Sequence, residues 1–254
     1  MKLFFREYGE GPPIVILHGL LGSSDNWLTQ AKLLSPKYKV YTIDQRNHGL
    51  SPHSDTFDYQ SMVSDLEEFV NDQNIVDPVL IGHSMGGKTA MTFALTHPDK
   101  LKKLIVVDIS PRAYDLEHYA LVEGLMRLPL ATLVSRNDAD TALAADVPEE
   151  DVRQFLLKNM QRKPEGGFSW KINLPVIHEK LSNIGVDLIR GGTFEKQTLF
   201  IRGSSSKYVP DADWNTIIKI FPHAKLVTMD TGHWVQAEKP REFVEVVINW
   251  IENI

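Results

Sequence analysis

Val79-Leu80-Ile81-Gly82-His83-Ser84-Met85-Gly86-Gly87 is the stretch on which the chain turns. Pro78–Ile81 is a short apolar run that reads as a buried strand, and Lys88–Leu95 reads as a helix. Gly82-x-Ser84-x-Gly86 therefore sits at a strand-to-helix turn, the setting in which this pattern presents a nucleophile. The glycines have a steric purpose, because residues without Cβ atoms let flanking backbone pass close to a strained turn. Ser84 Oγ is then held above the sheet, and the following N–H groups point from a helix N-terminus toward an anion. The plainer alternative is a glycine-rich turn with an incidental serine. The strand before it and the helix after it argue against that.

Working outward, strand-like runs alternate with helical ones over the first 110 residues. Leu3–Tyr8, Ile14–Leu17, Tyr38–Asp44 and Leu104–Val107 read as further strands. Asp25–Leu34 and Tyr59–Asn71 read as helices, the second with Met62, Leu66, Phe69 and Val70 on one face. Continuous apolar strands separated by helices predict a mostly parallel, doubly wound α/β sheet, whose strand ends share one ligand-binding edge. His18, Asp44, Ser84 and Asp108 all follow strands and collect there. From Ser110 to Thr193 strand signals stop, and helical stretches are broken by Pro111, Pro129, Pro148, Pro164 and Pro175. This predicts a helical cap over residues 111–193, inserted between core segments 1–110 and 194–254, with a hinge at Gly191-Gly192. Leu125, Met126, Leu128, Phe155, Leu156, Phe168, Trp170 and Ile177 are its apolar residues; most should pack internally and a minority face the site. The core resumes with a strand at Gln197–Ile201, a helix at Asp213–Phe221, a last strand at Lys225–Met229 and the loop Asp230–Trp234. An amphipathic helix from Pro240 to Ile254 closes it, with Phe243, Val246, Val247 and Trp250 inward.

Composition narrows the classes. At 254 residues the chain can bury an ample core, and 43% hydrophobic with 24% charged residues is ordinary for a water-soluble fold. A net charge of −6 argues against nucleic acid or an anionic membrane as partner. With no cysteine there is no disulfide, thiolate nucleophile or cysteine metal site. Met1–Glu7 runs straight into charge and no apolar stretch approaches the ~20 residues of a membrane helix, so a cytoplasmic location is expected.

A serine hydroxyl needs a base within hydrogen-bond reach. His233, in a glycine-flanked loop after the last strand, follows Ser84 and a carboxylate in chain order and is the best placed of nine histidines. His83 should point away at so sharp a turn. The acid is less direct. The loop after the penultimate strand, Gly203-Ser204-Ser205-Ser206-Lys207-Tyr208-Val209, holds no carboxylate before Asp211. Asp108 ends the strand beside the nucleophile strand and is favoured; Asp211 is the runner-up, with Asp213 and Asp230 behind it. The N–H groups of Leu20 and Met85 are the expected oxyanion donors. His18 should support its loop, Asp44 and Arg46 should tie loops together, and Lys88 is either structural or a contact for an acidic substrate. Leu21, Ile109, Phe155 and Trp234, with Met85, should line the acyl pocket. No metal or organic cofactor is implied.

These residues resemble the α/β-hydrolase superfamily from the first strand to the last helix. A narrower resemblance rests on Arg46-Asn47-His48-Gly49-Leu50-Ser51-Pro52, Gly82–Met91, Val107-Asp108-Ile109-Ser110-Pro111, Val152–Lys158, and Gly232-His233-Trp234-Val235 with Ala237-Glu238-Lys239-Pro240. It points to small YbfF-type carboxylesterases, relatives of mitochondrial abhydrolase-domain esterases. The resemblance implies an acid after the strand following the elbow, here Asp108, and hydrolysis of short- to medium-chain esters or acyl-CoA thioesters through an acyl-enzyme. A monomer or weak homodimer is expected. Two other classes stay open: a lyase or cofactor-free haloperoxidase on the same fold, and a ligand-binding receptor that keeps the triad.

Overall fold

The computed structural model of the protein describes residues 1–114, 118–188 and 192–253. The chain opens with β1 (Phe5–Tyr8) and β2 (Pro13–Leu17), then passes through a 3₁₀ turn at Ser24–Trp27 into α1 (Leu28–Leu34). β3 (Lys39–Ile43), α2 (Tyr59–Asp72), β4 (Val79–His83), α3 (Met85–Thr96) and β5 (Lys103–Val107) follow. After β5 come α4 (His118–Arg127), α5 (Arg136–Leu143), α6 (Glu150–Leu157), the hairpin β6 (Met160–Arg162) with β7 (Phe168–Trp170), and α7 (Leu174–Lys180). β8 (Thr198–Gly203), α8 (Trp214–Ile220), β9 (Ala224–Met229), α9 (Val235–Glu238) and α10 (Pro240–Glu252) complete the chain.

Seven strands form one sheet in the order β1-β3-β2-β4-β5-β8-β9. Only β1 runs antiparallel to its neighbour. The apolar runs have a direct cause: alternate side chains leave opposite faces, and both faces are covered. Ile14, Ile16, Val79 and Ile81 enter the layer with α1 and α10, packing with Trp27, Leu34, Phe243 and Trp250. Val15, Leu17 and Leu80 enter the layer with α2, α3 and α8, packing with Leu66, Phe69, Phe93 and Ile217. A third cluster joins Leu125, Leu143, Leu156, Phe168 and Ile177 to Leu21, Phe57, Met62 and Met85 from the sheet edge. It lies on the side where β2, β4, β5 and β8 end. Among the described residues no helix is long and apolar enough to cross a membrane.

Some local expectations change. The β5–β8 segment holds helices as read, but also a hairpin. Its strands have three residues each, too short for a periodic signal, and Gly166 and Gly167 turn the chain at φ 102° and 71°. Met126 is exposed, not packed. The 3₁₀ turn splits the predicted first helix, and the closing helix buries Val244 where Val246 was expected; Val246 is half-buried at the edge of the stripe. Of the predicted hinge Gly191-Gly192, Gly191 lies outside the described residues and Gly192 takes φ 99°.

Candidate active site

The turn after β4 places Ser84 at φ 52° and ψ −118°, a conformation that costs about 1–3 kcal/mol. Sterics explain the glycine spacing. A Cβ on Gly82 would lie 2.2 Å from Gly86 O, and one on Gly86 would lie 2.5 Å from the carbonyl oxygens of Leu17 and His18. Hydrogen bonds from Ser84 N to Val107 O (3.0 Å) and from Lys88 N to Ser84 O (3.0 Å) pin the turn to β5 and start α3. The first N–H groups of α3, Met85 foremost, have no carbonyl one turn earlier to bond.

Asp108 is the first residue beyond β5, completely buried and at φ 49°. Its Oδ1 accepts from Gly203 N (2.9 Å) and its Oδ2 from His233 Nδ1 (2.8 Å). Ser206 Oγ also donates to Oδ2. The loop that lacks an acid thus contributes a hydroxyl to the acid on the neighbouring strand. Nothing in Ser204-Ser205-Ser206 distinguishes that serine beforehand. The other candidates stand elsewhere. Asp211 is exposed and pairs with Arg202 (2.7 Å), Asp230 is exposed near Lys239, and Asp213 accepts from Ser110 Oγ (2.6 Å) and Arg112 Nε (2.8 Å).

The His233 ring lies 4.2 Å from the Tyr208 ring and 4.7 Å from that of His83, centre to centre. His83 is turned to His233: its Nε2–H donates to His233 O (2.9 Å), and burial drives its pKa well below the ordinary value, keeping it neutral. Among the described residues no hydrogen bond joins Ser84 Oγ to the His233 ring; both residues line one cavity.

Two more neutral histidines shape the loop opposite. Burial lowers His18 to about 4 and His48 to about 3. His18 Nδ1–H donates to Gly19 O (2.7 Å) while its Nε2 accepts from Gln45 N (3.0 Å). His48 Nδ1–H donates to Arg46 O (2.9 Å) while its Nε2 accepts from Leu21 N (3.1 Å). These struts hold Leu21 at φ 58° and leave the N–H groups of Leu20 and Met85 without an acceptor among the described residues. Asp44 ties loops together, accepting from Ser24 N (2.6 Å) and Leu50 N (2.8 Å); Arg46 reaches Thr56 O in the loop beyond (3.3 Å) but chiefly grips Asp65 on α2, at 2.7 and 2.9 Å.

The cavity measures about 260 Å³. Leu20, Leu21, Ser84, His233 and Trp234 line it from the sheet edge, and Leu121, Val152, Phe155 and Leu156 from α4 and α6, the Phe155 ring lying 5.8 Å from that of Trp234. Ile109 is absent from it. Next to Asp108 in sequence, it borders instead a small chamber of about 30 Å³ that also meets Ser84. Leu20, Ser84 and Tyr208 border both spaces; Met85, Tyr59, Lys88, Tyr114 and Ile184 border the small one. Tyr59, Tyr114 and Tyr208 carry no sequence signal of this, since they come from three separate places in the chain. Among the described residues no three His, Asp or Glu side chains are grouped to hold a metal.

A family model described as alpha/beta hydrolase fold matches residues 12–129. The chain is 39% identical over 257 residues to sn-1-specific diacylglycerol lipase ABHD11 of Danio rerio, covering 98% of this chain and 81% of that one. It is 32% identical over 243 residues to esterase YbfF of Escherichia coli (strain K12), covering 95% and 93%. The solved structure of a marine microorganism esterase superposes with a TM-score of 0.95 at 43% identity, over 98% of both chains.

Proposed function

Because the chain belongs to the α/β-hydrolase family, we propose that it is a serine carboxylesterase that cleaves short- to medium-chain acyl esters, acyl-CoA thioesters included, through an acyl-enzyme. One observation carries this reading. His233 Nδ1 lies 2.8 Å from the buried carboxylate of Asp108, and His233 and Ser84 face the same cavity.

In this mechanism Asp108 accepts Nδ1–H and so leaves Nε2 of His233 unprotonated and turned toward Ser84. As substrate enters, the Ser84–His233 contact shortens into a hydrogen bond, as such contacts do on complex formation. Ser84 Oγ attacks the acyl carbonyl and its proton passes to His233. The N–H groups of Leu20 and Met85 stabilise the oxyanion. The C–O or C–S bond to the leaving group then breaks, and His233 returns the proton to the leaving atom. Water, deprotonated by His233, attacks the acyl-Ser84 carbonyl; the C–Oγ bond breaks and the acid departs. Ser206 donates to the same Asp108 oxygen as His233 and helps hold it, and residues 111–193 act as a cap that closes the cavity.

The test is hydrolysis of p-nitrophenyl esters by wild type beside Ser84→Ala. Turnover should fall by about 10⁵–10⁶ in the variant, the scale on which a lost nucleophile acts. A folded Ser84→Ala protein that keeps the wild-type rate would remove the reading.

A further inference from the structure

The two spaces beside Ser84 differ in which catalytic groups border them. Both border Ser84 and Leu20, but His233 borders only the larger. On the esterase reading above, His233 protonates the leaving atom, so the leaving group must lie on its side. We propose that the acyl group occupies the small chamber bounded by Met85, Ile109 and Ile184, and that the large cavity takes the leaving alcohol. The preferred substrate is then an ester of a short, unsubstituted aliphatic acid, two to four carbons in all, with a bulkier and more polar alcohol.

Size and polarity both support this assignment. A water needs roughly 10–15 Å³ of such space, so about 30 Å³ admits only two or three non-hydrogen atoms beyond the carbonyl. Three of the polar tips around the chamber are committed to its walls. Tyr59 OH donates to Ile184 O (2.9 Å), and Lys88 Nζ donates to Arg112 O (2.8 Å) and Val186 O (2.6 Å). The Tyr114 hydroxyl is held by Ser110 Oγ (2.9 Å) and Tyr208 O. What these side chains turn to an occupant is ring face and methylene stem, fit for an alkyl group. The large cavity offers more than apolar surface. It is bordered by Asn26 and Glu149 as well, polar residues beside its apolar ones. During acylation the acyl carbon exchanges its bond to the alcohol oxygen for one to Ser84 Oγ. The serine proton leaves with the alcohol by way of His233, and water reverses the exchange to free the acid.

The experiment holds p-nitrophenol as leaving group and varies the acid from acetate to octanoate. Wild-type kcat/KM should be highest between acetate and butyrate and fall about 10-fold or more by octanoate. Ile184→Ala should raise the hexanoate-to-acetate ratio about 10-fold, and Ile184→Phe should lower the butyrate-to-acetate ratio by a similar factor. Phe155→Ala, in the large cavity, should leave both ratios within about 2-fold, since the acyl chain does not touch it. A wild type that prefers octanoate to butyrate overturns the assignment without any variant. So does a ratio that moves with Phe155→Ala and not with the Ile184 variants, for the acyl chain then lies in the large cavity. If no ester is cleaved faster than by Ser84→Ala, the esterase reading itself fails and the assignment goes with it.

Discussion

The two walls of the main cavity are held by different physics. On the sheet-edge wall, Ser84 and Asp108 sit at strand ends in left-handed backbone, fixed by hydrogen bonds to β5 and β8. Neutral, buried His18 and His48 brace the loop beside them. The facing wall is Leu121, Val152, Phe155 and Leu156, carried on α4 and α6. Those helices pack into their own apolar cluster. Polar ties reach from it to the sheet edge: Asn159 Nδ2 to Leu21 O (2.7 Å), Asn173 N to Asn47 O (2.9 Å) and Asn183 Nδ2 to Phe57 O (3.2 Å). Directional bonds set positions to fractions of an ångström, whereas apolar packing sets fit without direction. The first wall should therefore govern rate, and the second affinity and choice of substrate.

The sharpest way to test that division is Asp108→Asn. With the wrong imidazole tautomer held at His233, kcat should fall by about 10³–10⁴ with KM little changed. Asp211→Asn, at an exposed carboxylate paired with Arg202, should stay within about 2-fold of wild type, as surface pairs contribute little. If Asp211→Asn gave the loss and Asp108→Asn did not, the acid would lie outside the buried wall.

The same division explains what could be read in the chain beforehand. Strands buried on both faces must be apolar throughout, so the sheet and its edge were legible in Ile14–Leu17, Leu80–Ile81 and Leu104–Val107. Gly82-x-Ser84-x-Gly86 was legible because the turn excludes Cβ atoms at both glycines. Asp108 was legible as a residue at a strand end. Its neighbour Ile109 borders a different space from Leu21, Phe155 and Trp234, with which it was grouped, because sequence adjacency does not say which space a loop residue meets. Ser206 and Tyr208 went unread, since a loop has no period that marks an inward side chain. The contact of His83 with His233 went unread for a similar reason, since the sharp turn at Ser84 does not say what the preceding ring meets. The hairpin β6–β7 was missed because three residues make no alternation.

Lys88 is where the two regions are joined. It stands on α3, one turn beyond Ser84, and its Nζ donates to Arg112 O on the outgoing chain and to Val186 O on the returning one. Burial lowers its pKa from 10.5 to about 8, with Arg112 adding to the shift and Asp187 opposing it; the rings of Tyr59 and Tyr114 also face the ammonium. The folded protein thus disfavours the charged form. That cost to stability is fully present below about pH 8 and disappears as the pH rises toward 10.5, the unfolded value. It amounts to about 3 kcal/mol. In urea unfolding, the stability of Lys88→Met relative to wild type should therefore fall by about that amount between pH 7 and pH 10.5, other groups cancelling between the two proteins. A difference independent of pH would mean that the two carbonyls fully offset the burial of the charge, and that Lys88 clamps the junction as a permanent cation.

The smallest effect tests the facing wall itself. Asn159 Nδ2 donates to Leu21 O (2.7 Å) and Leu156 O (3.1 Å), tying the end of α6 to the loop that carries Leu20. Asn159→Ala leaves the buried Leu21 carbonyl without that donor, a loss of about 1–3 kcal/mol. Most of it should fall on how firmly the two walls close over an ester, because Leu21 N remains held by His48 on the other side of the peptide. KM should then rise about 3–10-fold while kcat stays within about 2-fold, the pattern of lost uniform binding. Turnover slowed by about two orders of magnitude, with KM unchanged, would have the opposite meaning. The Leu20 N–H would then depend on the β5–β8 segment for its position, and the division between a wall for rate and a wall for fit would not hold.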